Sequence, residues 1–443
     1  MKRILYFLAL VIAFTACGCG KPKELPIIHT GDQANAPTEL LSLEASARDN
    51  WQIYQVNLKL YGNSGAFGKV QARLDDIKAL GTEILYLMPV YAEGKTVLPG
   101  LPGNKPFGSP YCIKNYKEVN SLYGSLEELR SLVKAAKGKG MKVMFDWVAN
   151  HTSWDNVWLT EHPEWYEHKA DGSIAWPTKD GEWKDVAQLD FGKKELWAAM
   201  EDALEYWVKE LDIDGYRCDY AHGVRDDFWK EAIGRLKELK PGFVMLAESD
   251  FDRMYNNGFD IIFDRAMKSN MRKLFSGGKP ADFVSWYKGD LAKAPAPKTK
   301  LYFVTNHDDA TEGTPAAQFG SNEAALAAYV LMNALNGSAM VYGSQETGYA
   351  STINFFNTQT MDWKANPSLT QAYQTALSDL AAGDRSKAAK IYGLESLVVV
   401  HYASGFTVAV NTGKTGLTAN LSKIGTGLPE KQSFGAYEFK IWK

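Results

Sequence analysis

Gly215-Tyr216-Arg217-Cys218-Asp219-Tyr220-Ala221-His222 is a short β-rich run that stops on a carboxylate. Three other runs likewise close a strand with polar and charged residues: Asp146-Trp147-Val148-Ala149-Asn150-His151, Leu246-Ala247-Glu248-Ser249-Asp250 and Asn306-His307-Asp308-Asp309. A single polar residue after a strand is ordinarily a turn or a helix cap. Four acidic strand ends at related intervals call for a common cause. A barrel of eight βα units and typically ~250 residues allots roughly 31 residues to each unit. Asp219 and Glu248 are 29 positions apart, one unit, and Glu248 and Asp308 are 60 apart, about two. Asp146 and Asp219 are 73 apart, one unit plus an insertion. In such a barrel every strand points its C-terminal end at one mouth, so acids distant in sequence meet there.

Working outward, apolar β-rich runs recur at 51–56, 84–88, 142–145, 215–218, 243–246, 301–305 and 339–342. Between them lie stretches with apolar residues three and four apart, at 69–80, 125–137, 195–211 and 226–239, which predict amphipathic helices. Alternating strand and helix predicts an α/β protein, a (β/α)8 TIM barrel over residues 45–385. The insertion after the third strand, at about 152–189, carries Trp154, Trp158, Trp165, Trp176 and Trp183 and reads as a small inserted domain. Beyond residue 386 the helical pattern stops, and alternation at 396–402, 406–411 and 437–442 predicts a C-terminal all-β sandwich domain over 386–443.

The first residues belong to export rather than to the fold. Lys2 and Arg3 precede an apolar run at 4–14, too short to span a bilayer as a stable helix. Phe14-Thr15-Ala16-Cys17 resembles the lipobox of bacterial lipoproteins, in which the Cys is lipidated and becomes the first mature residue. The expectation is a signal peptide over 1–17, a lipid anchor at Cys17, a tether over 18–44, and a place in the bacterial cell envelope. Plain signal-peptide cleavage and secretion is the alternative. Cys112 and Cys218 are then the thiols of the folded body, bridged to each other or buried and free. With 49 basic and 52 acidic side chains the formal charge is −3, leaving no basic excess to bind nucleic acid. Thirteen Trp and 22 Tyr supply flat faces that suit sugar rings, or simply fill cores. A monomer is expected.

Taken together the four acidic segments resemble, in order and spacing, the signature regions of the α-amylase family of glycoside hydrolases, family 13. The resemblance runs from about Trp51 to Lys443. It includes Ile53-Tyr54-Gln55-Val56, Tyr86-Leu87-Met88-Pro89-Val90-Tyr91, Gly108-Ser109-Pro110-Tyr111, Tyr123-Gly124-Ser125, Gly258-Phe259-Asp260, Val341-Tyr342-Gly343-Ser344-Gln345-Glu346 and Met361-Asp362-Trp363. It implies Asp219 as nucleophile, Glu248 as general acid/base and Asp308 as the acid that grips sugar hydroxyls. Glycoside cleavage needs such a pair, because one carboxylate must attack or stabilise an oxocarbenium-like carbon while a protonated carboxyl frees the leaving oxygen. Arg217, two residues before Asp219 and so on the same strand face, is implied to orient the nucleophile. His151 and His307 are implied to bond the sugar in the cleaved subsite, Tyr111 to stack on it, and His222 to line the leaving-group side. Asp146 is implied to organise the site.

Some positions depart from the family pattern: Asn115 replaces an Asp, Ala339 or Met340 replaces the eighth-strand Pro, and no Arg follows three residues after Asp308. No cofactor is needed for the chemistry. Asn150 and Asp190 fall where relatives hold structural calcium, although capping or surface roles explain two oxygens equally well. The leading expectation is retaining hydrolysis of α-1,4-glucosidic bonds in starch-type glucans or maltodextrins. The alternatives are a transglycosylase on the same substrates and an inactive glycan-binding relative.

Overall fold

The computed structural model describes residues 36–45, 48–94 and 109–443. The expected signal peptide, the lipidation site at Cys17 and most of the expected tether lie outside the described residues, as do residues 95–108. Among the described residues no helix is long and apolar enough to cross a membrane.

Eight parallel strands close into a barrel: Gln52–Val56, Ile84–Leu87, Lys142–Val148, Gly215–Asp219, Val244–Ala247, Ile261–Phe263, Thr299–Tyr302 and Ser338–Tyr342. The last pairs with the first, Ala339 opposite Gln52 and Tyr342 opposite Gln55, so no edge is left open. The period of two sorts each strand into an inner and an outer column. Ile53, Ile84, Met144, Leu246, Leu301 and Met340 fill the interior, while Tyr54, Leu85, Val143, Met245, Tyr302 and Val341 pack outward under the helices. Gly215 stands where the interior has no room, since a Cβ there would lie 2.4 Å from the Val244 carbonyl oxygen.

The sixth strand, Ile261–Phe263, went unread in the sequence because three residues are too few to show a period. The helix expected over 69–80 is two short helices, Ala66–Gln71 and Leu74–Lys78. The break falls at Arg73, whose guanidinium turns back to the Tyr61 hydroxyl at 3.1 Å and Glu346 at 3.4 Å and lies 3.7 Å over the Trp363 ring. Tertiary contacts there outweigh an unbroken helical ladder. The helix Leu126–Gly138 starts where expected, with Ser125 and Glu128 forming a reciprocal capping box.

The chain leaves the barrel after the third strand and returns through a small antiparallel pair, His151–Ser153 with Val186–Gln188. Beyond the barrel, Ala389–Leu394, Leu397–Tyr402, Thr407–Asn411 and Phe439–Trp442 form an antiparallel sheet, with the pair Leu417–Ala419 and Gln432–Phe434 beside it. The tether expected over 18–44 needs correction at its end. Thr38–Leu43 is the fifth strand of the C-terminal sheet, paired with Ala389–Leu394. An edge strand has to bury only one face, so Leu41 and the Glu39–Lys390 ion pair at 2.8 Å anchor a segment too polar to read as a strand by itself. Cys112 and Cys218 are both buried and unbridged.

Candidate active site

The inner columns change character at the C-terminal rim. Ile53 is followed two residues later by Gln55, Met144 by Asp146, Gly215 by Arg217 and Asp219, and Leu246 by Glu248. An apolar floor therefore gives way to a charged layer by the same alternation that builds the barrel. The layer opens into a cavity of about 610 Å³ lined by Tyr111, His151, Asp219, His222, Glu248, His307 and Asp308.

Arg217 is the hub, with its side chain fully buried. Its Nη1 donates to Asp146 Oδ1 at 2.6 Å and Asp219 Oδ1 at 3.0 Å. Its Nη2 lies 3.0 Å from Glu248 Oε2, a charge contact off the direction of the N–H bonds. Glu248 Oε2 instead accepts the Tyr220 backbone N–H at 2.9 Å. Tyr220 directly follows the candidate nucleophile with φ +43, in the left-handed region that a non-glycine residue adopts at a cost. Strain at that position turns its N–H onto the candidate acid/base.

Burial pushes the Asp219 carboxyl up, opposed first by Arg217 and reinforced by Glu248, Asp146 and Asp308. Asp146 is raised by burial in the same way, with Arg217 again the main opposing influence. The side chain of Asp308 is half exposed, but to the cavity, and desolvation there also raises it. Burial thus raises Asp219, Asp146 and Asp308 alike, and the Arg217 charge opposes the rise at each of the three. Asp219 and Asp146, bonded directly to Arg217, are best placed to remain anions.

Of the three histidines at the cavity, His151 and His307 are buried deeply enough to disfavour the charged ring. Burial depresses His307 to about 3 and His151 to about 4. Gln55 Nε2 faces His307 Nδ1 at 2.9 Å, which leaves the proton on Nε2, 2.7 Å from the Tyr111 hydroxyl. That hydroxyl donates to Asp146 Oδ2 at 3.1 Å, where Tyr86 also donates at 2.5 Å. Tyr111 stacks on His307 with ring centroids 5.2 Å apart. His222 Nε2 is 3.2 Å from Asp180 Oδ2, a residue of the inserted segment that also accepts from the Tyr220 hydroxyl. The structure thus brings Asp219, Glu248, Asp308, Tyr111, His151, His222 and His307 to one cavity, with Arg217 fully buried against Asp219 and Glu248.

The expected calcium ligands do not fit a cation. The Gln188 Nε2 amide donates to the Asn150 carbonyl at 2.9 Å, the Leu189 carbonyl at 3.0 Å and Asn150 Oδ1 at 3.3 Å. An N–H donor therefore sits among the oxygens a cation would collect. Asp190 turns to the Gly192 N–H at 2.8 Å. Among the described residues no group of three or more His, Cys, Asp or Glu is placed to hold a metal ion.

Several lining residues were not singled out in the sequence, Phe251, Phe356 and Arg265 among them. Phe251, 53% exposed, stands at the rim three residues after Glu248, and Phe356, 37% exposed, stacks on Phe355 at 4.4 Å. Arg265 donates from Nη2 to Glu248 Oε1 at 2.7 Å. Its signal was hidden because it follows the short sixth strand.

A family model described as alpha amylase, catalytic domain, matches residues 42–184. An alpha-1,4-glucan:maltose-1-phosphate maltosyltransferase of Rhodospirillum rubrum is 34% identical over 204 residues, 42% of this chain and 29% of that protein. An alpha-amylase MalA of Haloarcula japonica is 26% identical over 313 residues, 67% of this chain and 44% of that protein. The chain thus spans less than half the length of these curated relatives. The crystal structure of an alpha-amylase from Lactobacillus plantarum superposes with a TM-score of 0.72 at 28% identity, covering 89% of this chain and 99% of that one.

Proposed function

On the premise that this chain belongs to the α-amylase family of glycoside hydrolases, family 13, as the family-model match and the shared fold support, we propose that it cleaves α-1,4-glucosidic bonds of starch-type glucans or maltodextrins with retention and passes the glycosyl unit to a second sugar. The observation that carries this reading is a single guanidinium, Arg217, holding Asp219 at 3.0 Å and Glu248 at 3.0 Å. One planar group spanning both favours the close carboxyl spacing of retaining enzymes, about 5–5.5 Å, over the wider spacing of inverting ones.

In the first step an Asp219 oxygen attacks the anomeric carbon. The glycosidic bond breaks, and the leaving oxygen takes the proton of Glu248. In the second, Glu248 as carboxylate takes the proton of an acceptor hydroxyl. That oxygen attacks the anomeric carbon, and the bonding pair returns to Asp219. Asp308 holds ring hydroxyls, and the neutral His151 and His307 add hydrogen bonds without adding charge.

Hydrolysis is the same chemistry with water as acceptor. Two features favour transfer: the maltosyltransferase relatives, and the exposed Phe251 face, an apolar shelf in the cavity that Glu248 also lines, on which an acceptor sugar can lie. The presence of Asp219, Glu248 and Asp308 in one cavity weighs against an inactive glycan-binding relative. Incubation with maltoheptaose separates the fates. Oligomers longer than seven units appearing early are expected, and only shorter products from the first time point would leave hydrolysis as the function.

We also propose anchoring to the bacterial cell envelope through Cys17, supported by the apolar run at 4–14 and the lipobox-like residues before that cysteine. Metabolic labelling with a tagged fatty acid should mark the wild type and not Cys17→Ala. Equal labelling of both, or of neither, removes the anchor.

A further inference from the structure

Both oxygens of Glu248 are occupied in a way the two-step scheme does not explain. Oε2 takes the Tyr220 N–H and the charge of Arg217, and Oε1 takes Arg265 Nη2 at 2.7 Å. Donors on both oxygens match an accepting carboxylate, and Arg265 takes one of the two lone-pair sites of Oε1, so a proton delivered from that oxygen would have to share it with a cationic donor.

The two arginines differ in freedom. The Arg217 side chain is fully buried, clamped by Asp146 and Asp219, and cannot leave. The Arg265 side chain is 42% exposed and lines the cavity. Its backbone is fixed, because its N–H donates to Asp250 Oδ1 at 2.9 Å and it opens the helix Arg265–Phe275 behind Asp264, which accepts the Met267 N–H. A second anion waits beside it, for Nη1 donates to Asp250 Oδ2 at 2.7 Å. A cation in the first turn of a helix opposes the helix dipole, so the local sequence gives no reason for arginine at this position. The two carboxylates supply one.

We propose that Arg265 is a positioning residue that alternates between Glu248 and Asp250, releasing Glu248 when it acts as acid and returning to it when it acts as base. When a leaving-group sugar fills the acceptor side, the guanidinium withdraws onto Asp250 and Oε1 is free to carry a proton toward the glycosidic oxygen. Once that sugar departs, the guanidinium returns and holds the carboxylate ready to activate the acceptor. This inference rests on the reading of Glu248 as acid/base.

The other groups facing Glu248 are Asp146 from the third strand, Arg217, Asp219 and Tyr220 from the fourth, Tyr86 from the second, His151 after the third, and His307 after the seventh. Asp308 faces Arg265. All of these are kept in the test, so only the Arg265 contact varies.

The test is the pH dependence of kcat/KM on maltoheptaose for the wild type, Arg265→Gln and Asp250→Asn, with α-maltosyl fluoride as a donor whose departure needs no proton. Arg265→Gln removes an adjacent cation, so the alkaline fall in turnover should move up by about 1 pH unit. Asp250→Asn leaves the guanidinium only Glu248, so the fall should move down. With the fluoride donor neither variant should shift it. If both variants lose rate with the alkaline limb within about 0.2 unit of wild type, Arg265 only supports the fold and the proposal is overturned. Should Arg265→Gln not fold, the direction of the Asp250→Asn shift decides. A wild type inert toward every α-glucan and toward the fluoride would instead sink the reading of the site itself.

Discussion

Asp146 and Arg217 stand opposite each other on adjacent barrel strands, and the guanidinium reaches the carboxylate at 2.6 Å with both side chains fully buried. The pair is a platform rather than a surface ion pair. From it Arg217 extends to Asp219 and Glu248, so loss of the cation strands several acids in low dielectric at once. Arg217→Met is expected to cost about 3–5 kcal/mol of stability, as removal of one partner of a buried pair does, and to abolish turnover. Asp146→Asn, which removes one of the competing negative charges, should cost clearly less. Urea unfolding of both variants checks the order, and equal losses would show that Arg217 is not the hub.

Phe251 presents an open aromatic face to the cavity that Glu248 also lines, beside His222 at a centroid distance of 5.2 Å. A sugar acceptor gains from that face and water does not. Phe251→Ala should therefore lower the ratio of transfer to hydrolysis by roughly 3- to 10-fold, the range of one aromatic contact, while cleavage of the donor bond changes less. Product ratios from maltoheptaose at early times measure this. An unchanged ratio would remove Phe251 from acceptor binding.

His151 is buried and depressed from 6.5 to about 4, chiefly by desolvation. Between those values the unfolded chain takes up a proton that the folded protein refuses. The stability contributed by the neutral ring is complete above pH 6.5 and lost as pH falls through about 4. His151→Gln lacks this penalty, so its stability should gain on wild type by about 2–3 kcal/mol on going from pH 7.5 to 4.5. Groups that move the other way, such as Asp264, raised to about 7, cancel in the comparison. A difference in Tm that stays constant across this range would mean that folding does not shift the titration of His151.

Gln188 Nε2 donates to the carbonyls of Asn150 and Leu189 at 2.9 and 3.0 Å, where an amide stands among would-be cation ligands. Chelation with EDTA is expected to leave Tm unchanged. Gln188→Glu exchanges the donor for an anion among the same oxygens and should make Tm rise with added calcium. A drop in Tm of the wild type on chelation would restore the ion to this place.

The barrel was legible because its evidence is repetitive. Strand ends of Asp219, Glu248 and Asp308 fall at multiples of one βα unit, and such spacing survives without any knowledge of contacts. The acids, Arg217 and the two histidines were readable for the same reason, each being tied to a strand end with a recognisable neighbourhood. Thr38–Leu43 and Ile261–Phe263 were not, since a short strand is defined by its partner's hydrogen bonds rather than by its own pattern.

By itself the amino-acid order determined which side chains arrive at the mouth of the barrel, because alternation along each strand decides which residues face inward. Closure of the sheet decided what those side chains do to one another. It set one guanidinium between three carboxylates, placed Arg265 on Glu248 across 17 positions of chain, and filled the expected cation place with the Gln188 amide. Charge interactions depend on distances in space and on the exclusion of water, and neither is written in local sequence.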